Sequence, residues 1–389
     1  MTTTTRIPNA SPAQGTNPLK GLLAYGQSPW LDFIRRNILL NGDLKKMIQE
    51  DGLRGMTSNP AIFEKAITAG DDYNDIIKAP DAKASTAMAL YEKIAIRDVQ
   101  DATDIFKPVH AETKGRDGYV SLEVSPNLAF DTQATIDEAR RLWKTVNRPN
   151  VMIKIPATKE GLSAIRQALE DGINVNITLL FAQSAYEQVA EAFLSALEAR
   201  VAKGQDISHI ASVASFFVSR IDSLVDSKID AMLKTETDAK KKALLESLQG
   251  KVAIANARRT YAKYHELFGG ARWKALAAKG GQTQRLLWAS TSTKNPKYRD
   301  VLYVEELIGA DTVDTIPPAT FDAFRDHGKL RPSLTENLEG ANKTMKDLEA
   351  AGISMKEVTD KLIADAVKLF QDPFRQLLDA IAKHAGVSA

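Results

Sequence analysis

Short apolar runs alternate along the chain with longer segments in which apolar residues recur at helical spacing. Between residues 119 and 233, four predicted strands are each followed by a predicted helix. Such alternation is typical of βα units, which build parallel sheets. Further strand signals on both sides bring the total to eight, which favours a closed (β/α)8 TIM barrel over an open sheet. The predicted strands are 28–33, 53–60 with its terminal turn, 119–126, 151–156, 173–181, 209–215, 284–290 and 312–316.

Helices are predicted between these strands and at the end of the chain. A stretch with little strand signal, at about 239–278, is predicted to add helices to the outer ring. The tail from Ser354 onward is amphipathic, and we expect it to pack across the barrel or against a partner subunit. Apolar spacing predicts the other helices at 82–106, 132–146, 158–170, 184–202 and 217–233.

Two regions differ in composition. Residues 1–18 are rich in Thr, Pro, Asn and Gly, which predicts a mobile N-terminal arm. Residues 19–389 are expected to form one barrel domain, which includes the helical elaboration and C-terminal helices at about 340–387.

The overall composition narrows the class of protein. Hydrophobic residues at 44% and charged residues at 26% are ordinary for a globular protein with a sizeable core. A net charge of +2 argues against general binding to nucleic acid or to membrane surfaces. The absence of cysteine excludes disulfides, thiolate catalysis and cysteine metal sites. With no long apolar run and no secretory signal, we expect a cytoplasmic protein.

The apolar run Val151–Pro156 contains one lysine, Lys154. Lysine is rarely fully buried unless it is paired or used in chemistry. A lysine that is desolvated in an apolar barrel loses its proton more readily, and the neutral amine can attack a ketone to form a Schiff base. The alternative is a lysine at a strand end whose ammonium reaches solvent. Polar residues on the neighbouring strands favour the interpretation of Lys154 as a buried nucleophile.

Those polar residues fall on one face of each strand. Ser121 and Glu123 alternate with apolar residues, and so do Asn174, Asn176 and Thr178. The apolar rows are expected to pack under the helices, so the polar rows point into the barrel. Because a barrel interior is normally filled by apolar side chains, polar groups there need hydrogen bonds or a function.

Each candidate also has a structural interpretation. Glu123 could be a core carboxylate paired with an arginine, and Asn176 and Thr178 could satisfy backbone groups at strand ends. Asp32 could cap a helix that follows it, and Asn59 could form an Asx turn at a helix start. Considered together with the lysine, they supply a nucleophile, two carboxylates for proton transfer, and amide and hydroxyl groups that can bind a polyol.

Two other segments indicate an anion site. Ser215–Arg220 places hydroxyls and an arginine at a strand-to-helix junction, where the helix N-terminus and the guanidinium both favour phosphate. Ser290–Lys294 supplies hydroxyls and a second cation after a later strand, a common phosphate position in barrels. The alternatives are a solvated loop for the second segment and a surface salt bridge for Arg220. Strand alternation places Ser290 on the same face as Trp288.

Five segments closely resemble the transaldolase family, and the resemblance spans nearly the whole predicted barrel. It implies a class I aldolase-type (β/α)8 barrel, and the helical insertion and long tail resemble the family's longer branch. The implied reaction moves a dihydroxyacetone unit from sedoheptulose 7-phosphate or fructose 6-phosphate to glyceraldehyde 3-phosphate or erythrose 4-phosphate, in the non-oxidative pentose phosphate pathway. The segments are Gly55–Phe63, Val120–Val124, Val151–Thr158, Ile173–Phe181 and Thr315–Thr320.

The resemblance also implies a role for each candidate residue. Lys154 would form the Schiff base, and Asp32 would be the acid/base for carbon–carbon bond cleavage and formation. Glu123, with Thr178, would hold the water that serves carbinolamine dehydration. The implied substrate-binding residues are Asn59 and Asn176 for the dihydroxyacetone hydroxyls, Ser215 and Phe217 for the pocket wall, and Arg220 and Ser290 for the phosphate.

The chain departs from the family pattern at one phosphate-binding position. Many relatives carry an arginine two residues after the equivalent of Ser290, whereas this chain has Ser292 there and its nearest cation is Lys294. We therefore predict that Lys294 contacts the phosphate, as a point charge without the two-pronged geometry of arginine. The segment Pro29–Asp32 is a looser match than the others.

We expect neither a metal ion nor another cofactor, because an iminium withdraws electrons as a metal would in a class II aldolase. The five histidines have no metal-binding spacing; they are His110, His209, His265, His327 and His384. The expected partners are sugar phosphates, without nucleic acid or membrane, and the protein is expected to be a monomer or homodimer. Two other functions stay open: a lyase that releases dihydroxyacetone from fructose 6-phosphate, and a non-catalytic barrel that binds sugar phosphates.

Overall fold

A computed structural model describes residues 17–68 and 70–388 of the 389-residue chain. Eight parallel strands close into a barrel in sequence order, and β8 pairs with β1. This confirms the predicted (β/α)8 architecture. The strands are β1 Gln27–Asp32, β2 Gly55–Thr57, β3 Tyr119–Glu123, β4 Val151–Pro156, β5 Val175–Leu180, β6 Ser212–Phe217, β7 Arg285–Ala289 and β8 Thr312–Ile316.

Helices surround this barrel, and the insertion between β6 and β7 supplies three of them after α10, as predicted. The helices are α1 Pro18–Gly21, α2 Arg36–Leu40, α3 Asp43–Glu50, α4 Pro60–Thr68, α5 Asn74–Ile77, α6 Ala87–Glu112, α7 Thr132–Val146, α8 Lys159–Glu170, α9 Gln183–Ala202, α10 Ser219–Leu233, α11 Ala239–Leu248, α12 Val252–Gly269, α13 Ala271–Ala277, α14 Leu302–Glu306, α15 Pro318–His327, α16 Leu338–Ala350 and α17 Met355–Ala385. Short 3-10 helices lie at Leu22–Tyr25, Pro80–Ala84, Pro126–Leu128 and Ser333–Thr335.

Several element boundaries differ from the prediction because polar side chains set them. The strand predicted from His209 begins at Ser212, since the chain turns at residues 208–209, where the Asp206 carboxylate accepts a hydrogen bond from the Ser208 backbone N–H. The helix predicted from Ala82 begins five residues later, after Thr86, whose hydroxyl accepts the N–H of Ala89. Apart from Asn17 and Pro18, the predicted arm at 1–18 lies outside the described residues.

The N-terminal end of the barrel is filled by large and charged side chains. The Trp30 indole packs against Gly55 on the adjacent strand β2, where a Cβ would come within 2.5 Å of the ring. Arg285 and Asp117 form a buried ion pair of 2.8 Å, and Asp117 also accepts hydrogen bonds from Ser28 and Trp30. Because this end is filled, the space for a ligand lies at the C-terminal ends of the strands.

Helix α17 runs across that open end, which confirms the first of the two predicted positions for the tail. It packs against α4, α6 and α10, and it also contacts β5. Its N-terminus is capped by Ser354, and Gly386 ends it in a left-handed conformation. No described helix has the length and apolar character needed to cross a membrane.

Candidate active site

The pairing of three adjacent strands brings three polar residues side by side. In the register of the sheet, Glu123 of β3 is the partner of Lys154 of β4, and Lys154 is the partner of Asn176 of β5. Residues paired in this way point to the same side of a sheet. A carboxyl, an amine and an amide therefore form one row inside the barrel.

Lys154 is buried, so the alternative of an ammonium that reaches solvent is wrong. Its side chain is 6% exposed, and Nζ lies 3.3 Å from Oε2 of Glu123. The amine also donates a hydrogen bond of 3.2 Å to the carbonyl oxygen of Ser58. Burial raises the pKa of Glu123, and the neighbouring lysine opposes that rise. The partner of Glu123 is thus the lysine and not an arginine.

Asp32 lies at the end of β1 and faces the same interior. Its Oδ1 accepts a hydrogen bond of 2.7 Å from Thr57, whose hydroxyl is also 2.6 Å from that of Thr315. Burial raises the pKa of Asp32, opposed in part by Lys154 and by the Thr57 hydrogen bond. Asp32 is not a helix cap, because the next helix begins at Arg36 without a side-chain cap.

Amides and hydroxyls complete the inner surface. The Asn176 amide donates to the hydroxyl of Ser121 at 2.9 Å and accepts from that of Ser215 at 2.6 Å, so its partners are side chains and not strand-end backbone groups. Thr178 is fully buried, and its hydroxyl has no hydrogen-bond partner among the described residues. Asn59 accepts the N–H of Ile62, which confirms the predicted Asx turn at a helix start, while it also faces the cavity.

Two cations lie at the outer end of the same cavity. Arg220 is in the first turn of α10, and its guanidinium carbon is 5.9 Å from the centre of the Phe217 ring. Lys294 donates a hydrogen bond to the hydroxyl of Ser292. Neither cation forms an ion pair with a carboxylate in the described part of the chain, so the alternative of a surface salt bridge for Arg220 is wrong. Two unneutralised cations beside hydroxyls favour an anion.

Ser290 reaches this site by a local change of backbone direction. In β7 the inward residues are Arg285, Leu287 and Ala289, whereas Trp288 packs edge-on against Phe216 on the outer face. Alternation had predicted that Ser290 and Trp288 share a face, and this is wrong. Ser290 has φ of 57°, which breaks the alternation and turns its hydroxyl to within 3.0 Å of that of Ser219.

Nine of the eleven predicted site residues line one cavity of about 190 Å³. Glu123 and Asn176 are not in its lining and lie next to it, in contact with Lys154 and Ser215. The prediction missed Thr57, Thr315 and Pro317, although strand alternation from Gly55 could have identified Thr57. It also missed Leu369 and Phe370, which line the cavity from α17 and carry no motif.

Comparisons with known proteins agree on one family. A family profile described as transaldolase/fructose-6-phosphate aldolase matches residues 29–381. The chain is 49% identical to a transaldolase of Trichodesmium erythraeum over 94% of its length and 97% of that protein. It is 46% identical to transaldolase 2 of Nostoc punctiforme and 45% identical to a transaldolase of a Parafrankia strain, over 94% and 96% of this chain and 97% and 100% of those proteins. The chain therefore belongs to the transaldolase/fructose-6-phosphate aldolase family.

Proposed function

We propose that this protein is a transaldolase, a transferase that moves a dihydroxyacetone unit between sugar phosphates through a Schiff base on Lys154. The observation that carries the proposal is a buried amine within 3.3 Å of a buried carboxyl, at the base of a cavity with two unpaired cations at its outer end. The relatives named above are transaldolases, and the match extends over nearly their whole length, which supports the same activity here.

The first step joins the ketose to the enzyme. The Lys154 amine attacks the carbonyl carbon of a ketose phosphate, and the resulting carbinolamine loses water to give an iminium. Glu123 is placed to take and return the protons of these steps, because its carboxyl lies beside the amine in the same desolvated space. The hydroxyl of Thr178 is free to hold the departing water near that carboxyl.

The second step breaks the sugar. The positive nitrogen of the iminium withdraws electrons, so the C3–C4 bond can break once the C4 hydroxyl loses its proton. Asp32 is the proposed base, and the hydrogen bond from Thr57 holds its carboxylate toward the cavity. The aldose phosphate leaves, and an enamine of dihydroxyacetone remains on Lys154. A second aldose phosphate then accepts this unit as the steps run in reverse, which predicts ping-pong kinetics.

The remaining residues in and beside the cavity are proposed to bind the sugar. Asn59 of the cavity lining and Asn176, the sheet partner of Lys154, are proposed to bind the dihydroxyacetone hydroxyls. Ser215 and Phe217 are proposed as the wall beside them. The phosphate is proposed to bind at the outer end through Arg220, Ser290 and Lys294. This arrangement spans the cavity from the reacting carbon to the phosphate. A cytoplasmic location and a monomeric or homodimeric state stay predictions of the sequence.

Trapping the Schiff base tests the proposal directly. The protein is incubated with fructose 6-phosphate and borohydride, and the modified peptide is identified by mass spectrometry, with Lys154→Arg as control. We expect a stable adduct on Lys154 in the wild type and none in the variant, whose activity falls by at least about a thousandfold. An unmodified lysine together with sugar-phosphate binding would instead identify a non-catalytic barrel.

A second assay separates transferase from lyase. Erythrose 4-phosphate consumption is followed alongside free dihydroxyacetone, with fructose 6-phosphate as donor. Transfer to the acceptor without accumulation of free dihydroxyacetone supports the transaldolase. Release of dihydroxyacetone at the same rate with and without an acceptor would identify a fructose-6-phosphate aldolase-type lyase.

A further inference from the structure

We infer that Phe370 of the C-terminal helix determines the outcome of the reaction, because its ring shields the dihydroxyacetone enamine on Lys154 from water. The residue is therefore specificity-determining for transfer over release. This inference rests on the proposed function, and it adds to the site a residue that lies far in sequence from every strand of the barrel.

The position of the ring carries the inference. The Lys154 amine lies 5.6 Å from the centre of the Phe370 ring, and both residues line the same cavity. Phe370 is 9% exposed, while its neighbour Leu369 is 51% exposed at the rim of the cavity. The ring therefore forms an apolar wall between the reacting amine and solvent.

The helix that carries this ring is anchored beside β2 and β3 at the barrel mouth. Gln371 donates a hydrogen bond of 3.3 Å to the carbonyl oxygen of Pro126, just beyond β3. Phe374 packs edge-on against Tyr91 of α6 at 5.4 Å, and Tyr91 packs in the same way against Phe63 of α4. These contacts fix Phe370 over the cavity without using any residue that touches the substrate.

The chemistry explains why an apolar wall matters. If water reaches the enamine, its nucleophilic carbon takes a proton and becomes the iminium of dihydroxyacetone. A water molecule then adds to the iminium carbon, the carbon–nitrogen bond breaks, and free dihydroxyacetone leaves with the lysine amine and a proton restored. The transferred unit is lost to solvent. Excluding water from the enamine suppresses both steps until an aldose phosphate enters.

The test compares Phe370 with a buried phenylalanine of another helix. Phe370→Leu shortens the wall, whereas Phe193→Leu removes a buried ring of α9 that packs against Phe268 and Trp273, away from α17 and the cavity. Each variant and the wild type are given fructose 6-phosphate with erythrose 4-phosphate, and free dihydroxyacetone is measured against transfer. We expect the ratio of release to transfer to rise by on the order of tenfold in Phe370→Leu and to stay near the wild-type value in Phe193→Leu.

Two further readouts keep the inference falsifiable. In heavy water, dihydroxyacetone released by Phe370→Leu should carry deuterium at the carbon that was the enamine nucleophile, and borohydride should still trap an adduct on Lys154. An unchanged ratio in Phe370→Leu, or an equal rise in both variants, would overturn the role of Phe370 while wild-type trapping leaves the proposed function standing. Failure of the wild type to form any adduct would overturn the proposed function itself.

Discussion

The amine of Lys154 and the carboxyl of Glu123 lie 3.3 Å apart on adjacent strands, and each side chain is only 6% exposed. Within the described chain, neither group has a second ion-pair partner. Because little water reaches them, a proton that leaves one group is most easily received by the other. This pair can therefore serve both the attack of the amine and the loss of water from the carbinolamine.

Replacing Glu123 with glutamine should slow the formation of the Schiff base. The amide keeps the size of the side chain, but it cannot take up and return a proton, so the rate of adduct formation should fall by about 10²–10⁴-fold. Rapid mixing with fructose 6-phosphate followed by a borohydride quench measures this rate. An adduct that forms at the wild-type rate would show that Glu123 has no part in the proton transfers.

Replacing Asp32 with asparagine should block a later step. The ketose should still form its Schiff base, but without the base the C3–C4 bond should break about 10²–10⁴-fold more slowly. Borohydride should then trap the intact hexose phosphate on Lys154, whereas the wild type is trapped with the dihydroxyacetone unit. The two adducts differ in mass, so detecting only the smaller one in the variant would contradict the assignment.

The raised pKa of Asp32 also has a consequence for the wild-type pH profile. Because Asp32 must be ionised to accept the C4 proton, transfer should decline on the acid side at a pH above the usual range of an aspartate. Single-turnover cleavage at several pH values measures this limb. The Asp32→Asn variant should lack it, since its residual rate no longer depends on that carboxyl.

Arg220 and Lys294 should contribute to phosphate binding and not to the chemical steps. Arg220→Ala should raise the KM for fructose 6-phosphate by about ten- to a hundredfold, the equivalent of about 1.5–3 kcal/mol for a charge-assisted hydrogen bond. Lys294→Ala should have a smaller effect in the same direction. Turnover of unphosphorylated fructose should change little in either variant. Arg259→Ala, outside this cavity, is a matched control for the loss of one positive charge.

Asp314 gives a test of stability that is independent of catalysis. This residue of β8 is fully buried, accepts a hydrogen bond of 2.9 Å from Thr291, and has a pKa raised by burial to about 8. A carboxyl whose pKa is raised by folding binds its proton more tightly in the native state. The free energy of unfolding should therefore rise as the pH falls from 9 to 7, by about 1.4 kcal/mol from this group alone.

Denaturant unfolding at several pH values checks this expectation. Asp314→Asn mimics the protonated acid, so it should remove this part of the pH dependence. Burial also raises the pKa of Asp222, to about 7, and the difference between the wild type and Asp314→Asn isolates the contribution of Asp314. The exposed Asp379→Asn serves as the control for loss of a carboxylate. Equal pH dependence in Asp314→Asn and the wild type would contradict the assignment.

Local patterns determined most of the barrel. The βα repeats and the alternation within strands predicted the strands that the structure contains, together with Lys154, Glu123 and Asn176 on inward faces. These features depend on periodicity over a few residues, which the sequence displays directly. The same patterns left the alternatives for Asp32 and Arg220 open, because a cap or a salt bridge depends on a partner elsewhere in the chain.

Only the tertiary structure decided which residues meet. The register of the sheet sets the Lys154 amine beside the Glu123 carboxyl. The positive φ of Ser290 turns its own side chain from the outer face to the anion site. The C-terminal helix brings Phe370 over Lys154, although the two residues are separated by more than half the chain. No sequence motif predicts this contact. Sequence periodicity specifies the face of each element, whereas contacts between distant elements arise from packing of the whole core, which no local pattern encodes.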